Sequence, residues 1–324
     1  MNRRLHILIA AAVFALPGLL LGQTQEDAAS ARGQLVGTYR FVSFESKNPD
    51  GSWQPDLDFK GNGYITYSDT GYMGVHIMPS DRAQFAANRP TPDEARQALR
   101  RYVAYFGPFT VHQNEQFVIH HRVGNLNPGG TGDTKRFYDL EGDRLILTPA
   151  PASGDKAQAT LHVVWERVPE VQLSAEAEKF VGVRQLLYTD RYTEREGNLI
   201  SHGQRNDSDA GSYISDTPTG HMMVHLMDKQ GRTRYAGAAP TGAEAQAALR
   251  SYYGYFGPFT LFEDAQPPYV VHNQEGIINP STPTDTERLY QLSDNVLRLG
   301  VRPRVSNGVA SGGHLYWQLL PPRP

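Results

Sequence analysis

Short stretches in which apolar and polar residues alternate recur along the chain from about residue 35, and they predict strands. In the first half we predict strands at 35–45, 63–67, 72–78, 109–111, 117–123, 134–140, 144–148 and 160–168. Alternation with a period of two is typical of strands that bury one face. Most of these stretches are bounded by Gly, Pro, Asn or Asp, which favour turns. The pattern predicts an all-β fold.

One helix is predicted to interrupt the strands in each half of the chain. Thr91-Pro92-Asp93-Glu94 forms a capping box with proline at the first helical position. Apolar residues then recur every three or four positions as far as Phe106, and Gly107 ends the helix. The second half repeats the pattern over 241–257, with Gly242 at the first helical position, which predicts a weaker start.

The two halves of the chain are copies of one unit. Residues 98–110 return as residues 248–260 with ten of thirteen positions identical, and the other matching stretches lie 149 to 152 residues apart. A unit of this length is long enough to fold alone and too long for a solenoid repeat. We predict two tandem domains, residues 33–169 and 176–322. Eight strands and one helix in each suit a small up-and-down antiparallel β-barrel, with a β-sandwich as the alternative.

Composition narrows the class of protein further. The chain has no cysteine, which excludes disulfides, thiolate catalysis and cysteine-ligated metals. Lysine and arginine number 31 against 34 acidic residues, so the chain lacks the basic surplus of a nucleic-acid-binding protein. The sequence carries no hydrolase, metalloprotease or nucleotide-loop signature. We expect no cofactor and no nucleic-acid partner.

The first segment has the pattern of an export signal. Asn2-Arg3-Arg4 is a short positive start, residues 5–21 are almost continuously apolar, and residues 23–27 are polar. This is typical of a cleaved secretory signal peptide, here residues 1–22. An uncleaved membrane anchor is the alternative, against which Pro17 and the short apolar core argue. We predict a periplasmic or secreted protein with no membrane span after cleavage.

The first predicted strand, Gly37-Thr38-Tyr39, resembles the Gly-Thr-Trp opening of the bacterial and fungal lipocalin-like domain family. The segments 71–73, 102–110, 120–121 and 127–136 are similar to that family as well. The resemblance covers residues 35–168 and, more loosely, 181–320, where Gly182-Val183-Arg184 replaces the usual opening. It implies two closed or nearly closed barrels, each around an interior pocket. It implies no catalytic residues, because the activity of the family is poorly defined.

Alternation also sorts the side chains of the barrel wall into two faces. The face of Thr134, Arg136, Tyr138 and Leu140 is identical in the second copy, whereas the opposite face differs, so we expect the identical face to point inward. His120 shares a face with Val118 and Arg122. The candidate ligand-binding residues are His120, Arg136, Tyr138 and Tyr105 in the first barrel, and His272, Arg288, Tyr290 and Tyr255 in the second.

These residue types suit a polar group at one end of an apolar cup. The guanidinium fork of Arg136 or Arg288 suits a ligand carboxylate, enolate or phosphate. The histidines can donate a hydrogen bond or move a proton, and the tyrosines offer hydroxyls. For each arginine we favour a structural role, in a buried network in which Asp133 or Asp285 pairs with the inward arginine and histidine.

Met223, His225 and Met227 alternate along one predicted strand and therefore share a face. Thioether and imidazole ligands suit copper(I). Methionine in a strand is more often core filling, and the first copy has Gly74 in place of Met223. We predict no metal site and keep copper as the alternative.

The pattern as a whole favours a module that binds a small apolar or amphipathic molecule inside a barrel. The alternative is a barrel-type isomerase, cyclase or dehydratase, in which an arginine stabilises an oxyanion and His120 or His272 moves the proton. A third possibility is an interaction scaffold with packed interiors and no small ligand.

Overall fold

The computed structural model describes residues 32–206, 211–228, 230–281 and 284–323; the predicted signal peptide, residues 1–22, lies outside them. Two β-barrels follow one another along the described chain. The strands of the first are β1 (Gly37–Lys47), β2 (Trp53–Pro55), β3 (Gly61–Tyr67), β4 (Tyr72–Pro79), β5 (Val103–His112), β6 (Phe117–Arg122), β7 (Gly124–Asn125), β8 (Gly132–Glu141), β9 (Arg144–Pro149) and β10 (Leu161–Arg167). The strands of the second are β11 (Gly182–Arg195), β12 (Asn198–Asn206), β13 (Tyr213–Asp216), β14 (His221–Met227), β15 (Tyr252–Phe262), β16 (Tyr269–His272), β17 (Gly276–Ile277), β18 (Thr286–Ser293), β19 (Val296–Gly300), β20 (Arg304–Ser306) and β21 (Val309–Leu319). The helices are α1 (Pro92–Leu99), α2 (Ala175–Glu178) and α3 (Gly242–Arg250), with a 3-10 turn at Lys156–Gln158.

Eight antiparallel strands close the first barrel. Their order around the ring is β1, β3, β4, β5, β6, β8, β9 and β10, and β10 pairs with β1 to complete it. The short strands β2 and β7 attach to β1 and β5. A register shift between Phe41 and Ser43 marks a bulge in β1. The closed ring confirms the predicted barrel over the sandwich.

The second barrel repeats this topology. Its ring runs β11, β13, β14, β15, β16, β18, β19 and β21, and β21 pairs with β11. The equivalent register shift lies between Leu186 and Tyr188. The strands β12 and β20 extend β11 and β21 beyond the ring as hairpins. The repeated order confirms the two tandem copies.

The predicted helices are wrong at their C-terminal ends. Helix α1 ends at Leu99, and residues 103–107, predicted as helix, belong to strand β5. Arg101 between them has a φ of 61°, which stops helical geometry. In the second copy α3 ends at Arg250 and β15 begins at Tyr252. Aromatic and β-branched residues favour strands, and pairing with β4 outweighs the helical spacing of the apolar positions.

A tryptophan lies in the core of each barrel at an equivalent place. Trp165 pairs with Phe41, and Trp317 pairs with Leu186. Each indole is 1% exposed, and neither Nε1 has a hydrogen-bond partner. Trp165 also packs edge-to-face on Phe41 with centroids 5.7 Å apart. Both therefore act as apolar filling of the barrels.

The barrels pack on each other through β4, β14 and the helices α1 and α3. One buried apolar cluster draws on both copies and includes Tyr72, Leu99, Tyr102, Phe106, Tyr213, Leu249 and Tyr252. Where the helices cross, a Cβ on Gly242 would lie 2.3 Å from the Cβ of Pro92. Gly242 therefore permits the close approach of the two helices. Within the residues that the structure describes, no helix is long and apolar enough to cross a membrane.

Candidate functional site

The first barrel holds a buried histidine between two tyrosines. The hydroxyls of Tyr67 and Tyr105 lie 2.7 and 3.0 Å from Nε2 and Nδ1 of His120. A neutral imidazole has one donor and one acceptor nitrogen, so one tyrosine donates and the other accepts. Burial, and then the charges of Arg136 and Arg122, hold the pKa of His120 well below its usual value. His120 is therefore neutral, with both ring nitrogens occupied.

The inward face predicted from alternation is correct. Val118 and Tyr138 belong to the apolar core of the first barrel, with Leu140 packed against them. The structural network considered in the sequence analysis required Asp133 to pair with Arg136, and the two do not pair. Asp133 pairs instead with His121 at 2.7 Å on the opposite face, because Asp133 and His121 are register partners there.

The second barrel keeps one of the two tyrosine–histidine contacts. The Tyr255 hydroxyl lies 2.8 Å from Nδ1 of His272, as in the first copy. Burial and the charge of Arg288 lower the pKa of His272 to about 3. The Arg288 guanidinium also acts on Tyr255, opposing the rise in the pKa of its hydroxyl that burial causes. The structure thus brings His272, Arg288 and Tyr255 together.

Asp216 occupies the strand position that Tyr67 has in the first barrel, and Arg184 occupies that of Tyr39. Tyr39 and Tyr67 form an edge-to-face pair with centroids 6.5 Å apart. In the second barrel, Nη1 of Arg184 lies 3.9 Å from the Asp216 carboxylate. Neither carboxylate oxygen has a hydrogen-bond partner among the described residues. Burial raises the pKa of Asp216 to about 7 despite the charge of Arg184.

Sequence reasoning missed both residues of this ion pair. Aligning the two copies would have found them, because an aromatic pair in one copy is exchanged for an acid and a base in the other. Arg184 is further held by the carbonyls of Phe180 and Lys179.

Three phenylalanines fill one end of the first barrel. Phe41 and Phe44 lie on β1, and Phe59 follows β2. Their ring centroids are 4.8 to 5.5 Å apart in all three pairs. The Arg101 guanidinium covers Phe59 at 4.4 Å from its centroid. This end of the first barrel is closed by aromatic packing.

The same end of the second barrel is open. Leu186 and Thr189 occupy the register positions of Phe41 and Phe44. A cleft of about 500 Å³ lies there. Its apolar lining includes Leu186, Leu226, Tyr253, Val301 and Leu315, and its polar lining includes Thr189, Asp190, Arg191 and Arg250. Leu186, Leu226, Tyr253 and Leu315 also belong to the barrel core or pack against it, so the cleft enters the barrel.

A family model described as a lipocalin-like domain matches residues 36–168 and 210–319. The chain belongs to the lipocalin-like domain family. No curated protein matches the sequence. Among solved structures, the chain is similar to a protein of unknown function from the DUF3598 family of Nostoc punctiforme, at 8% identity and a TM-score of 0.24, over 90% of this chain and 99% of that chain.

Two predicted site residues of the lipocalin-like domains are not among the hydrogen-bond partners of His120 and His272. Tyr290 packs edge-to-face on Phe180 with centroids 5.0 Å apart, at the end of the second barrel where α2 leads into β11. Tyr138 lies in the core of the first barrel with its hydroxyl unpartnered.

The copper alternative falls on the interface between the two lipocalin-like domains. Met223 packs with Tyr64 and Phe256, whereas Met227 belongs to the cluster shared by the helices. The Tyr252 hydroxyl lies 2.8 Å from Nδ1 of His225, so one nitrogen is already engaged. Among the described residues, no group of three or more His, Asp or Glu side chains is arranged to hold a metal ion. The three side chains serve as interface packing.

Proposed function

We propose that this protein is an exported binding protein that holds one small apolar or amphipathic molecule in its second lipocalin-like barrel. The observation that carries the proposal is the difference between the two barrel ends. A cleft of about 500 Å³ suits a small ligand, since such sites are concave, mostly apolar and marked by a few polar groups. In the first barrel, Phe41, Phe44 and Phe59 fill the corresponding end.

The polar residues of the second barrel would orient such a molecule. Tyr253 lines the cleft, and its ring lies 5.7 Å from that of Tyr255. The charge of Arg288 acts on both tyrosines. An apolar body in the cleft would therefore point its polar end toward Arg288, with the apolar area providing most of the affinity.

The test is titration with a neutral fluorescent naphthylamine probe that gains emission in apolar sites. We expect one site per chain in the wild type. The double variant Leu186→Phe/Thr189→Phe copies the filled end of the first barrel and should abolish that site. The matched variant Phe41→Leu/Phe44→Thr copies the open end and should add a second site.

Circular dichroism on each variant checks that the barrels remain folded. Unchanged probe binding in Leu186→Phe/Thr189→Phe, with the fold intact, would exclude the second barrel as the site. Native mass spectrometry of the protein from its own host would then identify any molecule that remains bound.

Export is tested separately by the intact mass of the mature protein. Loss of residues 1–22 is expected, because the charged start, apolar stretch and polar flank match a cleaved signal. A mature chain that retains Met1 would contradict it.

A further inference from the structure

Two arginines flank one histidine–threonine pair on the inner wall of the first barrel. On the paired strands β6 and β8, His120 is opposite Thr134, Arg122 is opposite Gly132, and Val118 is opposite Arg136. Side chains two residues apart share a face. Arg122, His120, Thr134 and Arg136 therefore lie on the same inward face, with the arginines on either side.

Neither arginine has an anionic partner among the residues that the structure describes. Nε of Arg122 donates to the Gly132 carbonyl at 3.3 Å, and its guanidinium lies 5.7 Å from the Tyr105 centroid. Nη1 of Arg136 donates to the Lys135 carbonyl at 3.1 Å. Among ion pairs between described residues, none within 4.0 Å involves either of them. Burial lowers the pKa of Arg122; Tyr105 opposes this shift and the charge of Arg136 adds to it, so the two cations disfavour each other.

Two hydroxyl groups on the same face also have no hydrogen-bond partner within the described part of the chain. Oγ1 of Thr134 and the hydroxyl of Tyr138 are buried without a hydrogen bond. Tyr138 is 3% exposed, so water at the surface does not satisfy it. A buried hydroxyl donor without an acceptor is destabilising.

The second barrel shows that the fold does not require this arrangement. Gln274 stands where the first barrel has Arg122, and its Nε2 donates to Oγ1 of Thr286 at 2.8 Å. Thr286 is the counterpart of Thr134. At the counterparts of Arg122, Thr134 and Arg136, the second barrel therefore has one cation and a hydrogen-bonded threonine hydroxyl. The first barrel has two cations and a threonine hydroxyl without a partner.

We propose that Arg122, Thr134 and Arg136 form a binding site for one oxyanion in the first barrel. A carboxylate or phosphate group between the two guanidinium groups would offset their repulsion and accept from the threonine hydroxyl. Both arginines are only partly buried, so the site is reachable from solvent. The oxyanion is either a free inorganic phosphate or the head group of a small organic acid. This site is separate from the cleft of the second barrel.

Isothermal titration calorimetry on the full mature chain, at low ionic strength and in a buffer without oxyanions, tests the site. The probes are sodium phosphate and sodium hexanoate. We expect saturable binding of at least one probe with one site per chain. Tighter binding of hexanoate indicates an organic acid, and tighter binding of phosphate indicates the free ion.

Arg122→Gln copies the residue of the second barrel and should weaken binding at least tenfold. Lys135→Gln removes the same charge from the opposite face, where Lys135 covers the Phe117 ring at 4.0 Å, and should change binding less than twofold. Thermal melts confirm that both variants fold. Saturable binding of neither probe, or an equal loss in both variants, would overturn the proposal.

Discussion

The rings of His76 and His225 stack face to face where the two barrels meet, with centroids 4.3 Å apart and an angle of 8° between the planes. The two residues are counterparts, 149 positions apart in the repeat. Each accepts or donates one hydrogen bond at Nδ1, to Tyr102 at 3.2 Å and to Tyr252 at 2.8 Å. The barrels therefore meet through the same strand of each copy.

Acid should destabilise the protein below about pH 6.5. Burial lowers the pKa values of His76 and His272 to about 3. It also holds the pKa values of His225 and His120 well below the usual value for histidine. The unfolded chain takes up these protons near pH 6.5, whereas the folded chain does not. The free energy of unfolding should therefore fall as pH drops from 6.5 toward 3, which urea unfolding at a series of pH values measures.

The variant His76→Phe/His225→Phe keeps two stacked aromatic rings. It removes two of the four buried histidines named above, which bind a proton only in the unfolded chain. Its stability should depend less steeply on pH between 6 and 4 than that of the wild type. An equal slope in both proteins would show that these two histidines are accessible to protons in the folded state.

Asp216, in contrast to the histidines, should make the protein less stable as the pH rises. Its pKa of about 7 in the folded state exceeds that of an unfolded aspartate, so folding binds a proton between about pH 4 and 7. Its contribution to stability falls as pH rises through that window, by roughly 4 kcal/mol in all. Asp216→Asn removes this loss, so the stability difference between variant and wild type should grow from pH 5 to pH 8. A constant difference in urea unfolding would contradict the burial of a charged carboxylate.

The pair of Arg184 and Asp216 should behave as one unit. Arg184→Tyr alone and Asp216→Tyr alone each leave a buried ionisable group without its partner, which is strongly destabilising. The double variant copies Tyr39 and Tyr67 of the first barrel. Its loss of stability in urea should be smaller than the sum of the single losses by at least 1 kcal/mol; additive losses would show that the two side chains are independent.

Gly242→Ala should destabilise the protein although alanine favours helices. The new Cβ would meet Pro92 at the helix crossing, and overpacking costs about 1–3 kcal/mol. Gly33→Ala, whose Cβ would meet nothing within 4 Å, is the matched control and should change the melting temperature little. A higher melting temperature for Gly242→Ala would mean that the helices do not touch there.

His272→Gln separates a binding protein from an enzyme. If His272 only orients Tyr255, the variant should keep probe binding in the second barrel within about tenfold, because glutamine also hydrogen-bonds the hydroxyl. Titration with the neutral naphthylamine measures this. Unchanged binding together with lost turnover of a substrate would instead favour the proton-transfer alternative.

Local sequence was enough for most strands, the repeat and the inward faces, whereas the choice of a barrel over a sandwich came from the family resemblance and is confirmed by the closed ring of strands. Alternation depends only on the two-residue period of a strand, so Val118, His120 and Tyr138 could be assigned to the interior without any contact. His120, His272, Arg136 and Arg288 were found in this way, whereas Arg184 was not. The helix ends were not predicted correctly, because residues 103–106 continue a helical period and become strand only by pairing with β4.

The role of Gly74 and the partner of Asp133 could be assigned only from contacts between distant segments of the chain. Gly74 looked like a missing ligand, but a Cβ there would lie 2.7 Å from Sδ of Met223 across the interface. Asp133 looked like the partner of Arg136 and pairs with His121 instead. Such choices depend on which strand faces which, and no local pattern contains that information.

The difference between the two barrel ends also depends on tertiary structure. Phe59 closes the first barrel only because the chain after β2 brings it between Phe41 and Phe44. The periodicity of one chain segment predicts its own conformation and its buried face. The filled end of the first barrel, the cleft of the second barrel and the pair of Arg184 and Asp216 are formed by residues far apart in sequence. Only the folded structure therefore decides them.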